Sequence, residues 1–246
     1  MKRVNLLGIP VDLATMSETV DIIDSRIAAR MSTQHAVVNV AKLVSAQSDL
    51  SLAEAIRNCD IVNIDGMGVV WGARLLGYEV PERVTGIDLF ERLLEVSARR
   101  GYPVFFLGAT SEVLERAVER CRARYRNLDI AGFHHGYFWD DERAVVEKIK
   151  ASGARLLFVA ITSPKKENFI NAWRRELGVD FVMGVGGTFD VISGKIRRAP
   201  AWMQKSGLEW LFRAVQEPGR MGKRYLVTNS AFLWLLAKAR FSLRRG

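Results

Sequence analysis

The chain has 246 residues, 49% of them hydrophobic and 26% charged, with only two cysteines and no periodic glycine. This excludes a disordered, collagen-like or disulfide-stapled protein. It is enough for one large domain, or a domain with an appendage, around a sizeable core. The net charge of +9 is unevenly placed: from Gly194 to the end twelve basic residues face only Glu209 and Glu217, whereas the first 193 residues hold 24 basic and 25 acidic groups. A neutral body (1–193) and a strongly basic appendage (194–246) call for a polyanionic partner: nucleic acid, an anionic membrane face or a phosphorylated substrate. Cys59 and Cys121 stand alone, with no CxxC, which suits a reducing cytoplasm. The apolar stretch after Lys2 and Arg3 is interrupted by Pro10 and Asp12, so no signal peptide is expected, and no run reaches the ~18 apolar residues of a membrane span.

In chain order, Val4–Val11 with Gly8-Ile9-Pro10 reads as a small hairpin. Short apolar runs then alternate with helical patterns. The runs are His35–Val40, Asp60–Ile64, Pro103–Leu107, Leu128–Ala131, Arg155–Ile161 and Asp180–Val185; the clearest helical patterns are Ile87–Arg100 and Ser111–Tyr125. Ser111 is the expected N-cap of the latter, and Asp140-Asp141-Glu142 the start of another helix. Continuous apolar strands separated by helices predict an α/β fold: a doubly wound, mostly parallel, Rossmann-like sheet with helices on both faces.

In such a sheet the ligand sits beyond the carboxyl ends of the strands. Those exits are Asn39, Asp65-Gly66-Met67-Gly68, Gly108-Ala109-Thr110, His134-His135-Gly136-Tyr137, Thr162-Ser163-Pro164 and Gly184-Val185-Gly186-Gly187-Thr188. Repeated glycines at one edge, each before a helix, favour a nucleotide or another phosphorylated ligand. Asp65 reads as a partly buried general base or as an N-cap. Asp190 reads as a first-turn acid or a ligand acceptor. Arg83 and Asp88 read as an ion pair or as ligand holders at the cleft edge.

His134 and His135 are adjacent, hence on opposite faces of a strand, and His35 is read as a strand-entry residue. With no Asp-x-Asp pair at a strand end, neither a metal nor a cofactor is expected. GxSxG, a Walker loop and a full GxGxxG are also missing.

The appendage mixes Trp202, Met203, Leu208, Trp210, Leu211 and Phe212 with Lys205 and Arg213. Phe232, Leu235, Leu236, Ala239 and Leu243 follow at helical spacing beside Lys238, Arg240, Arg244 and Arg245. This is the pattern of a helix lying on an anionic membrane, or of a C-terminal helix packed on the body with a basic outer face. The stacking motifs of nucleic-acid binders are missing. The Trp- and Phe-rich segments also suit a subunit interface, hence a homo-oligomer.

Three stretches resemble the WecG/TagA/CpsF family of bacterial glycosyltransferases across nearly the whole chain. They are Asn63-Ile64-Asp65-Gly66-Met67-Gly68-Val69-Val70-Trp71, Pro81-Glu82-Arg83-Val84-Thr85-Gly86-Ile87-Asp88-Leu89, and Gly184-Val185-Gly186-Gly187-Thr188-Phe189-Asp190. The last continues through Arg198-Ala199-Pro200 and Gly207–Arg213 to Gln216-Glu217-Pro218.

The resemblance implies metal-independent, inverting transfer from a UDP-sugar to a polyprenyl-diphosphate-linked sugar on the inner face of the cytoplasmic membrane. It casts Asp65 as the base, with Asn39 and Arg83 holding donor or acceptor. Gly66, Gly108, Tyr137, Lys166, Gly186, Gly187 and Asp190 fall on the donor side. Arg213, Arg220, Lys223 and Arg224 fall on a diphosphate and the membrane. Val37 stands where the family often has threonine, and Lys166 where it usually has glutamine. Both are expected at the sugar, which leaves N-acetylmannosamine, an acidic sugar and glucose open as donors. The rival reading is a non-catalytic nucleotide-binding module whose tail grips RNA or membrane.

Overall fold

The chain begins as an antiparallel hairpin, β1 (Lys2–Leu6) against β2 (Ile9–Leu13), turned by Leu7 and Gly8. Their φ values of 53° and 84° give the left-handed pair that a two-residue turn requires. The computed structural model describes residues 1–216 and 218–243; the side chains of Lys205, Arg220, Met221, Lys223, Arg224, Ser242 and Leu243 lie outside the described set. After the hairpin come α1 (Met16–Ala28), β3 (Thr33–Val38), α2 (Val40–Ser45), α3 (Leu50–Arg57), β4 (Ile61–Ile64), α4 (Met67–Leu75) and α5 (Gly86–Arg100). Next are β5 (Val104–Gly108), α6 (Ser111–Arg124), β6 (Ile130–His134), α7 (Glu142–Ala151), β7 (Leu156–Ala160), α8 (Lys165–Trp173) and β8 (Phe181–Gly184). The C-terminal part contains α9 (Thr188–Ile192), α10 (Ala201–Lys205), α11 (Glu209–Gln216), a π-helical turn (Pro218–Gly222) and α12 (Lys223–Leu243).

Local chemistry starts most of these helices. Thr15 and Glu18 form a capping box on α1, Thr85 caps α5, and Asp141 caps α7. The cap of α6 is Thr110, whose hydroxyl accepts from Val113 N–H, and Ser111 is the first helical residue instead. Either side chain has the right chemistry; the extended backbone of Thr110 decides between them.

Six strands form an all-parallel sheet in the order β4-β3-β8-β7-β5-β6. The fold is the expected α/β sheet with helices on both faces. One face carries α1, α5, α6 and α9 over Val37, Ile61, Phe106, Phe158, Phe181 and Met183. The opposite face has two cores. The hairpin, α3, α4 and α12 cover β3 and β4, and α7 and α8 cover β5, β7 and β8. The edge strand β4 does not offer its Val62 N–H to another sheet, because the Asp12 carboxylate accepts it at 2.8 Å.

Two histidine expectations change. His134 is the last residue of β6, paired with Leu107, while His135 lies beyond the strand, so the two rings sit 4.4 Å apart rather than on opposite faces. His35 is not at a strand entry but inside β3, fully enclosed, with Nε2 2.9 Å from Asn63 Oδ1. Asn63 in turn donates to Thr19 Oγ1.

Burial pushes His35 down to about 4 despite the Asn63 contact. A histidine protonated more easily unfolded than folded contributes stability above pH ~6.5 that is lost as pH falls toward 4. Urea unfolding at pH 7 and pH 4.5 is expected to show about 2–3 kcal/mol lost to this group. His35→Gln should lack that component; an unchanged difference would place the acid sensitivity elsewhere.

Described residues after Gly194 pack on the body. Phe232 and Leu236 of α12 are buried in the core beside Val69, Val70 and Ala73. They close over Gly72 of α4, where a Cβ would meet the Phe232 ring at 2.7 Å. Of the two readings of this stripe, Phe232 and Leu236 follow the packed one, because α4 lacks a side chain at that contact. Another apolar set on α12 is exposed: Leu226, Val227, Leu233, Trp234 and Phe241.

Candidate active site at the carboxyl edge of the sheet

The chain leaves β3 into α2 on one face of the sheet and leaves the adjacent β8 into α9 on the other. Two neighbouring strands whose connections depart to opposite faces open a crevice between them. Asn39 lies at one lip and Gly184–Thr188 at the other.

Asp65 follows β4 at this edge. It is not the N-cap of α4: Gly66 holds that position, with no side-chain bond. One carboxylate oxygen of Asp65 accepts weakly from Gly86 N–H at 3.4 Å. Desolvation raises the Asp65 carboxyl above the usual range. Arg213 acts most strongly to lower it again, followed by Arg83; Glu209 raises it and Lys42 lowers it. Asp65 is thus a strand-exit carboxylate that is not the cap of α4, raised by burial and set among three cations, the kind of environment that holds a carboxyl near a working pH.

Asn39 caps α2, its Oδ1 accepting from Lys42 N–H at 3.0 Å. The group it can offer a ligand is thus the side-chain amide nitrogen. It lies directly beside Gly66, where a Cβ would stand 3.5 Å from that of Asn39.

Arg83 and Asp88 do not pair with each other. Arg83 lies 3.4 Å from Glu209 and donates to Gln204 O, while Asp88 lies 2.6 Å from Arg198 and accepts from the Thr85 hydroxyl. Both partners come from the basic appendage. Residues 198–213 therefore form a wall of the cleft, and Arg213 of α11 acts on Asp65 from that wall.

The glycines expected on the donor side have distinct structural reasons. Gly108 has φ 123°, and a Cβ there would fall 2.3 Å from Ala160 O, so no side chain fits. Gly186 has φ 55° with open space before it, and Gly187 caps α9. Asp190 is in the first turn of α9 and pairs with Lys195 at 3.3 Å. Tyr137 is 70% exposed, leaving its ring available for stacking. Among the described residues no hydrogen bond or ion pair joins these three exits to Asp65.

Val37 and Lys166, expected at the sugar, are both buried. Val37 packs in the core under Gly86. Lys166 has 4% of its surface exposed and donates to Glu167 Oε1, an oxygen also 3.0 Å from Lys42 Nζ. Lys42 Nζ further donates to Val37 O at 2.5 Å. Burial and the neighbouring Lys42 lower Lys166 to about 8. Burial would raise Glu167, but the two ammonium groups outweigh it and hold the carboxyl at about 2. The Lys42–Glu167–Lys166 group escaped sequence reading because its members lie 124 and 125 residues apart along the chain. The charge in Pro164-Lys165-Lys166-Glu167 was its one visible signal.

The side chains of Arg220, Lys223 and Arg224 lie outside the described set, as do Glu217, Arg244 and Arg245 altogether. Among the described residues no group of three His, Cys, Asp or Glu is placed to hold a metal ion, and no helix is long and apolar enough to cross a membrane.

A family model described as glycosyl transferase WecG/TagA/CpsF family matches residues 4–246. The chain belongs to that family. It is a glycosyltransferase of cell-surface polysaccharide synthesis, acting with a nucleotide-sugar donor and a sugar acceptor. The match extends through the appendage, consistent with its place in the wall of the cleft. The rival reading as a non-catalytic module loses its basis.

Proposed function

We propose that this WecG/TagA/CpsF member is an inverting, metal-independent transferase. It moves a hexose or N-acetylhexosamine from a UDP-sugar onto a sugar linked to polyprenyl diphosphate, at the inner face of the cytoplasmic membrane. The observation that carries this is Asp65: a strand-exit carboxylate with a raised pKa, opposed by Arg213, Arg83 and Lys42. In this reading Asp65 takes the proton from the acceptor hydroxyl as that oxygen attacks the anomeric carbon. The sugar–phosphate bond breaks on the opposite side, and its electrons leave with UDP. Arginine guanidinium groups and the N–H groups of the glycine-rich exits offset the charge that develops.

Asn39 positions donor or acceptor; Gly66, Gly108, Tyr137, Gly186, Gly187 and Asp190 line the donor side; Arg213, Arg220, Lys223 and Arg224 meet diphosphate. Because Lys166 is buried and donates to Glu167 below the surface, the lysine gives no reason to prefer an acidic sugar. The test is a panel of UDP-sugars incubated with a short polyprenyl-diphosphate sugar, with EDTA present. One donor is expected to give acceptor-dependent UDP release and a product of inverted anomeric configuration. Release that never depends on the acceptor, or that EDTA abolishes, would overturn the reading.

The membrane part of the proposal draws on α12, where Leu233 and Trp234 are 65% and 63% exposed in a basic segment. Leu233→Glu with Trp234→Glu is expected to weaken co-sedimentation with anionic vesicles roughly tenfold or more. Unchanged sedimentation would exclude this face as the lipid contact. A dimer in light scattering that the same pair of changes dissociates would assign the face to a second copy.

A further inference from the structure

On the α5–α6 face of the sheet, against the outer side of α9, lies a cavity of ≈ 290 Å³ that none of the transfer chemistry uses. Arg120, Arg124 and Arg198 line it with a single carboxylate, Glu91, and with Tyr125. Two of the guanidinium groups are held in place by the fold. Arg120 donates to Ile192 O at 3.1 Å and lies over Gly194, where a Cβ would stand 2.5 Å from its Nη1. Arg198 reaches Asp88 at 2.6 Å. Arg124 pairs with Glu91, so the lone acid of the cavity is already spent.

The Tyr125 hydroxyl is buried and has no hydrogen-bond partner. Burial pushes it up to about 12, so it remains a donor at neutral pH. A buried donor with no acceptor is a cost that native structures rarely leave unanswered.

We propose that this cavity binds a small oxyanion of the phosphate class, at a site that adjoins the cleft wall through Arg198 but does not include Asp65. Arg124 is paired with Glu91 and Arg198 with Asp88, so the guanidinium of Arg120, which among the described residues meets only a backbone carbonyl, is the unbalanced positive charge that sets the sign of the ligand. The unpartnered hydroxyl supplies a neutral donor, and the volume admits a diphosphate or a compact phosphate ester. Guanidinium groups suit phosphate oxygens because their paired N–H donors match them in geometry.

The test titrates inorganic diphosphate into the full chain by calorimetry, with UDP in excess so that the donor site is occupied. Saturable binding is expected. Arg120→Gln and Tyr125→Phe should each weaken it roughly tenfold, whereas Arg213→Gln should change it less than about twofold. Tyr125→Phe keeps the ring and removes only the hydroxyl, so the result does not depend on a variant that misfolds. No binding to the unaltered chain, unchanged affinity in both cavity variants, or a loss confined to Arg213→Gln would each overturn the proposal.

Discussion

Replacing Asp65 with asparagine is expected to lower kcat by roughly 10²- to 10⁴-fold while leaving UDP affinity nearly unchanged, the range that a positioned general base supplies. The substitution keeps the shape and the weak contact from Gly86 N–H but removes the site that accepts a proton. The pH profile gives a second readout. A base works only when deprotonated, and desolvation raises this carboxyl. The acid limb of kcat should therefore lie above the ordinary carboxylate range and vanish in the residual activity of Asp65→Asn. Arg213 is the strongest of the charges lowering that carboxyl, so Arg213→Gln should move the acid limb to higher pH. Turnover of Asp65→Asn within tenfold of the native enzyme would put the base elsewhere, and an acid limb unmoved by Arg213→Gln would detach the appendage from it.

Glu167→Gln should be the most damaging of the conservative changes to stability, costing about 3–5 kcal/mol in urea unfolding at pH 7. It leaves Lys42 and Lys166 buried 124 residues apart in sequence but side by side in space, with no anion between them. Lys166→Gln, by contrast, should be neutral or stabilising. It removes the ammonium that burial already lowers to about 8 and leaves the Lys42–Glu167 pair at 3.0 Å intact.

The sign of the pH dependence separates the groups. Lys166 is protonated less readily folded than unfolded, so it costs stability below pH ~8, a cost that disappears as pH rises toward 10.5. Lys166→Gln should flatten that alkaline rise. Glu167, held at about 2, contributes stability above pH ~4.5 that is lost as pH falls toward 2, and Glu167→Gln should flatten that acid limb. Equal stabilities for the two variants would mean that the three groups are not charged together in the folded protein.

The strand exits were legible because their signal is local. β-branched and aromatic runs gave six parallel strands, and the residues after them, Asn39, Asp65, Gly108 and Gly186-Gly187, lie at the carboxyl edge. That Asp65 is not the cap of α4 depended on one backbone position, since Gly66 takes it. The partners of Arg83 and Asp88 were not legible, because Glu209 and Arg198 lie 126 and 110 residues further along. Spacing along a helix or strand carries no record of such pairings.

The amino-acid sequence alone therefore determined the α/β class, the strand-exit positions and the family, all of which rest on short-range periodicity and contiguous motifs. Tertiary structure decided the meaning of the charge. The basic stretch after Gly194 carries an excess of ten charges in sequence, yet Arg198 pairs with Asp88 in the wall of the cleft and Lys195 with Asp190. It also decided which apolar residues of α12 are core, since Gly72 on another helix makes the room that Phe232 fills. Composition records how much charge and apolar surface a chain has. Only packing, through burial and long-range pairing, assigns each part to core, cleft or surface.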